Sequence, residues 1–173
     1  VSKVVAANTD TPAILDAGCG EGYYTWRLWD KLKDRDPDIY GIDVSKKAVQ
    51  YAAKKSREIR FAVGTNYRLP FLRSSMDCIL SLFAPRDEEE FAAVLKPQGA
   101  LIVAAPGENH LLSLRQVLYD QPAPIGERGT VKDSFTLEEH RQVTFEIQLQ
   151  NNEDLLNLLT MTPYSRHASP EAL

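Results

Sequence analysis

The chain has 173 residues, of which 43% are hydrophobic and 25% charged, with a formal net charge of −4. That length supports one domain with a sizeable core and is too short for two full ones. The excess of acid argues against tight nucleic-acid binding through overall charge, though it leaves room for RNA contact through a local patch or a further module. No apolar run approaches a membrane span, and nothing at the start reads as a signal peptide. Two cysteines and three histidines, well separated, make neither a disulfide framework nor a four-ligand zinc site; no metal is expected, and a reducing, cytoplasmic setting fits.

Taken in chain order, the pattern predicts strands alternating with helices. Ala13–Asp16 is an apolar strand, followed after a glycine turn by a helix over Tyr23–Lys33. Ile39–Asp43 (IYGID) is a second strand, and Ser45 is placed to cap the helix KKAVQYAAKK. Arg60–Val63 is a short third strand. Met76–Phe83 is a fourth, with a continuous apolar run suited to burial on both faces. The acidic cluster Asp87–Glu90 suits the N-terminal dipole of a helix running to Leu95. KPQG then turns the chain into a fifth strand, ALIVAA. A helix over His110–Tyr119, a Pro/Gly loop over Gln121–Gly129, a sixth strand at Val143–Leu149 (VTFEIQL) and a helix over Glu153–Thr160 complete the expectation. Such alternation implies an α/β fold, a mostly parallel sheet with helices on both faces, and a ligand site at the carboxyl ends of the strands.

The glycine turn GCGEG narrows the ligand. Gly18, Gly20 and Gly22 are spaced G-x-G-x-G, whereas a dinucleotide loop prefers G-x-G-x-x-G. Asp16 precedes the first glycine by two. Asp43 closes the second strand, where an acidic side chain can accept hydrogen bonds from both hydroxyls of an adenosine ribose. Each has a plainer structural role to weigh: a glycine turn required only for close packing, and an aspartate that caps a helix.

Five stretches carry a resemblance: GCGEGYYT, DVSKKA, the RLPF loop, SMD with the following FAP, and APGENHLLSL, joined by a later LY and MTPY. They resemble the methyltransferase domain of the bacterial large-subunit (23S) ribosomal RNA guanine-N1 methyltransferases, the RlmA type, from about residue 13 to residue 170. The resemblance implies a class I, Rossmann-like methyltransferase fold using S-adenosylmethionine to methylate N1 of a guanine in ribosomal RNA. Some members of that family confer macrolide resistance. The implied cofactor contacts are Asp16, Gly18, Gly20, Tyr24, Thr25, Asp43 with the adjacent Val44, Thr65 and Asn66 of the loop after the third strand, Phe83 and His110. Thr65 and Asn66 stand where many methyltransferases carry an acidic residue for the adenine amine. Phe83, Ala84 and Pro85 fall where the methyl acceptor is usually held, and Phe83 could equally be core. Arg68 and Arg86 are candidates for RNA phosphate. His110 and Asp87 are candidates for the base that removes the guanine N1 proton.

The chain also departs from the family. No four-cysteine zinc module precedes the first strand, and Ser165, Arg166 and His167 follow Tyr164 where members carry a tryptophan and an arginine. The expectation is one methyltransferase domain over 1–173, trimmed at its ends, with 108–173 as its substrate-side part and its final antiparallel strand absent. The sixth strand would then have a bare edge, to be covered by the last helix or by a second copy in a homodimer. RNA binding would depend on the absent module. A methyltransferase for a small molecule and a non-catalytic cofactor-binding domain remain open alternatives.

Overall fold

Five short runs become five parallel strands in the computed structural model, which describes residues 10–119, 121–122, 125, 134–162 and 164. The strands are β1 (Ala13–Ala17), β2 (Asp38–Asp43), β3 (Arg60–Val63), β4 (Met76–Leu82) and β5 (Leu95–Ala104), in the order β3-β2-β1-β4-β5. The helices are α1 (Tyr23–Leu32), α2 (Lys46–Lys55), α3 (Glu88–Val94), α4 (Leu112–Leu118) and α5 (Asn152–Met161). From β1 the chain winds outward through β2 and β3, then returns to place β4 on the other side of β1. That reversal puts the switch point, where such sheets bind ligands, between β1 and β4.

Alternation along the strands explains the layers. Ile14 and Leu15 are both fully buried but point to opposite faces. Ile14, Cys78 and Leu80 cluster with Leu28 and Leu32 of α1. Leu15 and Ile79 cluster with Phe91 and Val94 of α3, with Phe135 packed against that cluster. β4 is therefore covered on both faces and paired on both edges. Helix starts follow their capping chemistry. The Ser45 hydroxyl accepts from the Ala48 N–H, and one Asp87 carboxylate oxygen accepts from the N–H groups of Glu89 and Glu90.

The chain divides into two units, Val1–Ala105 with Gly129–Leu137, and Pro106–Arg128 with Glu138–Leu173. In the second unit, the Arg115 side chain is 3% exposed and donates to the carbonyls of Glu108 and His110, fixing the turn ahead of α4. That helix starts at Leu112, with His110 left in the turn. The Tyr119 hydroxyl donates to the Tyr164 carbonyl, which ties the LY and MTPY motifs together.

One expected element does not form. Val143–Leu149 carries no strand, and Val143, Phe145 and Ile147 are 73%, 74% and 55% exposed. Alternation supplies a strand's side-chain pattern, but the backbone needs a ladder partner, and none pairs with this segment among the described residues. At β5 the pairing passes from Met76–Leu95 to Cys78–Ala100 across an irregularity, which accommodates the KPQG turn. Most of the loop expected over Gln121–Gly129, together with Ser165, Arg166 and His167, lies outside the described residues. No helix among the described residues is long and apolar enough to cross a membrane.

Candidate cofactor-binding site

The turn after β1 is built on left-handed backbone, with φ of +89° at Gly18, +53° at Gly20 and +72° at Gly22. The N–H groups of Gly18 and Cys19 both donate to the Ile42 carbonyl, pinning the turn against β2. Gly18 has a second reason to lack a side chain. A Cβ there would sit 2.4 Å from the Ala84 Cβ, so the turn after β1 touches the loop after β4. At Gly20 a Cβ would meet nothing within 4 Å, which leaves open space beside the backbone.

Asp43 stands at the end of β2 facing this space. Its Oδ2 accepts from the Gly20 N–H at 2.9 Å and its Oδ1 from the Ser45 N–H at 2.8 Å. A carboxylate offers about four lone-pair positions. One hydrogen bond at each oxygen orients the group and leaves each oxygen able to accept again. Ser45 supplies the side-chain cap of α2, so Asp43 is not needed for that role.

Asp16 and Thr25 come together in the interior. Asp16 is 2% exposed, Thr25 is fully buried, and the Thr25 hydroxyl donates to Asp16 Oδ2 at 2.6 Å. The pair ties α1 to the end of β1. Burial pushes the Asp16 carboxyl up to about 6; the Thr25 hydroxyl opposes that shift and the Asp43 charge adds to it. Burial likewise pushes the thiols of Cys19 and Cys78 up to about 12, which disfavours the thiolate form at both.

Asn66 closes the third side. It is 8% exposed, and its Nδ2 donates to the Pro85 carbonyl at 2.7 Å, tying the loop after β3 to the loop after β4. Its Oδ1 has no partner among the described residues. Thr65 stays within its own turn, its hydroxyl accepting from the Tyr67 N–H. Phe83 is 60% exposed with φ +55°, and its N–H donates to the Ala104 carbonyl. Core packing is thus excluded for Phe83, and it stands on a constrained loop.

The remaining candidates separate. Tyr24 and Val44 are exposed, at 55% and 73%. His110 belongs to the second unit, where burial and then the Arg115 charge hold its imidazole below the ordinary range. Asp87 is the cap of α3, its carboxylate turned to that helix's own backbone. Arg86 pairs with Glu88 at 2.9 Å and is largely buried, which removes it as a surface contact for phosphate, whereas Arg68 is exposed. Sequence reasoning missed the Asn66–Pro85 tie and the Gly18–Ala84 contact, because their partners lie far apart in the chain and no local pattern marks them.

Sheet order, glycine turn and acidic end of β2 define a class I methyltransferase fold. Residues 14–99 match the family described as Methyltransferase domain. Among curated relatives, the chain is 35% identical over 125 residues to the putative 23S rRNA (guanine-N(1)-)-methyltransferase YxjB of Bacillus subtilis, covering 71% of this chain and 44% of that protein. It is 32% identical over 166 residues to a putative 23S rRNA (guanine-N(1)-)-methyltransferase of Micromonospora griseorubida, covering 92% of this chain and 55% of that protein. The chain thus spans about half the length of these two relatives, and they bear out the resemblance read from its motifs. A solved SAM-dependent methyltransferase of Methanosarcina mazei shares the fold, with a TM-score of 0.56 and 24% identity over 69% of this chain and 64% of that one. The site fits S-adenosylmethionine. Open space beside Gly20 meets a carboxylate suited to a ribose diol, and the ligand has no pyrophosphate that would call for a wide anion cradle.

Proposed function

We propose that this chain is the catalytic domain of an S-adenosylmethionine-dependent methyltransferase that modifies N1 of a guanine in large-subunit ribosomal RNA. The observation that carries the reading is the convergence of three loops, after β1, β3 and β4, through the Gly18–Ala84 contact and the Asn66–Pro85 hydrogen bond. The relatives' names supply the acceptor class.

In this reading Asp43 accepts from the ribose hydroxyls, while Gly18 and Gly20 flank the methionine part and Val44 lies beside the adenosine. Asn66 Oδ1 accepts from the adenine amine, and Thr65 shapes that loop. Asp16, held by Thr25, supplies negative charge toward the ammonium. Tyr24 lines the mouth of the site at the start of α1. Phe83 presents an exposed ring on which an extruded guanine stacks. When bound, the cofactor supplies a methyl group already activated by a sulfonium. The residues therefore work by alignment, with Asn66 holding the loop that carries Phe83. The protein works in the cytoplasm, where its RNA is made. The cradle uses residues of one copy of the chain, so homodimer formation is not part of the proposal.

The test is nucleoside mass spectrometry of unmodified large-subunit ribosomal RNA after incubation with the full-length protein and the cofactor. One new N1-methylguanosine is expected. RNA left unmodified while a small acceptor is methylated would overturn the reading in favour of a small-molecule enzyme.

A further inference from the structure

The surface of α2 is unlike the rest of this acidic chain. Residues 46–57 contain Lys46, Lys47, Lys54, Lys55 and Arg57 and no Asp or Glu, whereas the whole chain has a formal net charge of −4. All five cations are exposed. Val49 and Ala52 are buried, so α2 rests on the core through its apolar stripe and presents the lysines outward. Among the described residues no carboxylate lies within ion-pair distance of any of the five. A solvated helix face ordinarily mixes signs; this one does not.

Aromatic rings interleave with the cations. Lys55 lies over the Tyr51 ring at 4.9 Å, and its Nζ donates to the Glu21 carbonyl at 3.2 Å. One residue beyond Gly22 the strip continues onto α1. Tyr23 and Tyr24 meet edge-on at 5.1 Å, and the Arg27 guanidinium sits 5.5 Å from the Tyr23 ring centroid. Tyr51, Tyr23 and Tyr24 are each 55% exposed. The two helices touch where Gly22 meets Ala52: a Cβ at Gly22 would lie 2.9 Å from the Ala52 Cβ. The strip therefore continues directly from the Gly18–Gly20 turn. Glu21, Glu58 and the Asp43 carboxylate, which accepts from the Gly20 and Ser45 N–H groups, adjoin it.

We infer that this juxtaposition, the cationic face of α2 beside the exposed tyrosines of α1 and α2, docks a single-stranded stretch of RNA next to the cofactor turn. Lysines and Arg57 neutralise successive phosphates while the tyrosines offer π-faces to unstacked bases, the combination by which single-stranded RNA is held. The inference rests on the RNA reading under Proposed function.

The test uses the full-length protein, a labelled single-stranded RNA of about 16 nucleotides, and unmodified large-subunit ribosomal RNA for turnover. Two variants are compared with the parent: Lys47→Gln/Lys54→Gln/Lys55→Gln/Arg57→Gln, and Tyr51→Ala. The quadruple variant is expected to lose about tenfold or more in RNA affinity, with the slope of log affinity against log salt reduced by about 2–3. Tyr51→Ala is expected to lose about fivefold or more with an unchanged salt slope. Cofactor affinity by calorimetry should hold in both, which shows that they fold, and the KM for RNA should rise at unchanged kcat. RNA affinity and slope unchanged in both variants, with a parent that binds and methylates RNA, would overturn the docking face alone. A parent that neither binds nor methylates RNA would overturn the RNA reading and the docking face together. Polyglutamate that displaces RNA from the parent at equal charge would assign the face to an acidic protein and overturn the RNA inference.

Discussion

β4 and the segment Val143–Leu149 are both seven residues long, and both are dominated by apolar side chains. Their fates are opposite. β4 lies between β1 and β5, with Cys78, Ile79 and Leu80 no more than 1% exposed. Val143–Leu149 forms no ladder and leaves Phe145 74% exposed. The comparison teaches that a strand is a property of pairing. An apolar pattern sets which face would be buried, while neighbouring strands decide whether anything is buried at all.

Substitution should sharpen this contrast most strongly in the core. Leu80→Ala removes a side chain packed between the sheet and α1 and should cost about 2–5 kcal/mol in chemical denaturation. Phe145→Ala should change stability by less than about 0.5 kcal/mol. Equal losses at the two positions would mean that the second segment is packed in solution.

The next effect lies where the loops meet. Gly18→Ala places a Cβ 2.4 Å from the Ala84 Cβ at a φ of +89°, and neither atom is the end of a flexible side chain. Overpacking and left-handed strain together should cost about 2–4 kcal/mol and separate the two loops. Thermal unfolding checks the first result, and lost cofactor affinity in the folded variant checks the second. A variant with parental stability and affinity would show that the contact does not position the site.

A smaller effect is tied to pH. Burial raises the folded-state pKa of Asp16 to about 6, above the ordinary carboxyl value of 3.8. Its contribution to stability is thus fully present below the unfolded value and is lost as pH rises through about 6. Between about pH 5 and pH 8 the parent should lose roughly 1 kcal/mol from this group. Asp16→Asn should flatten that part of the profile. An unchanged profile in the variant would assign the pH dependence elsewhere.

The parts of the site that the sequence made legible rest on chemistry local in the chain. Gly18, Gly20 and Gly22 advertise their left-handed backbone through their spacing, and Asp43 advertises itself by closing an apolar strand ahead of a separate cap at Ser45. The parallel sheet follows from the alternation of strands and helices, whereas its strand order is read from the folded chain. The Asn66–Pro85 hydrogen bond and the Arg115 ties to Glu108 and His110 do not repeat with any period, so only the folded chain reveals them. The net charge concealed the face of α2, because a sum over the chain erases a cluster of one sign. VTFEIQL misled where β4 did not: both carry the apolar pattern, but among the described residues only β4 has strands to pair with.

The central claim is that the turn after β1 and the carboxylate closing β2 form one cofactor cradle. Isothermal calorimetry of S-adenosylmethionine binding to the full-length protein and to its Asp43→Ala variant tests it most directly. The account predicts that the variant folds and binds about 1–3 kcal/mol more weakly, the cost of hydrogen bonds lost to a charged partner. A folded variant with parental affinity would contradict it.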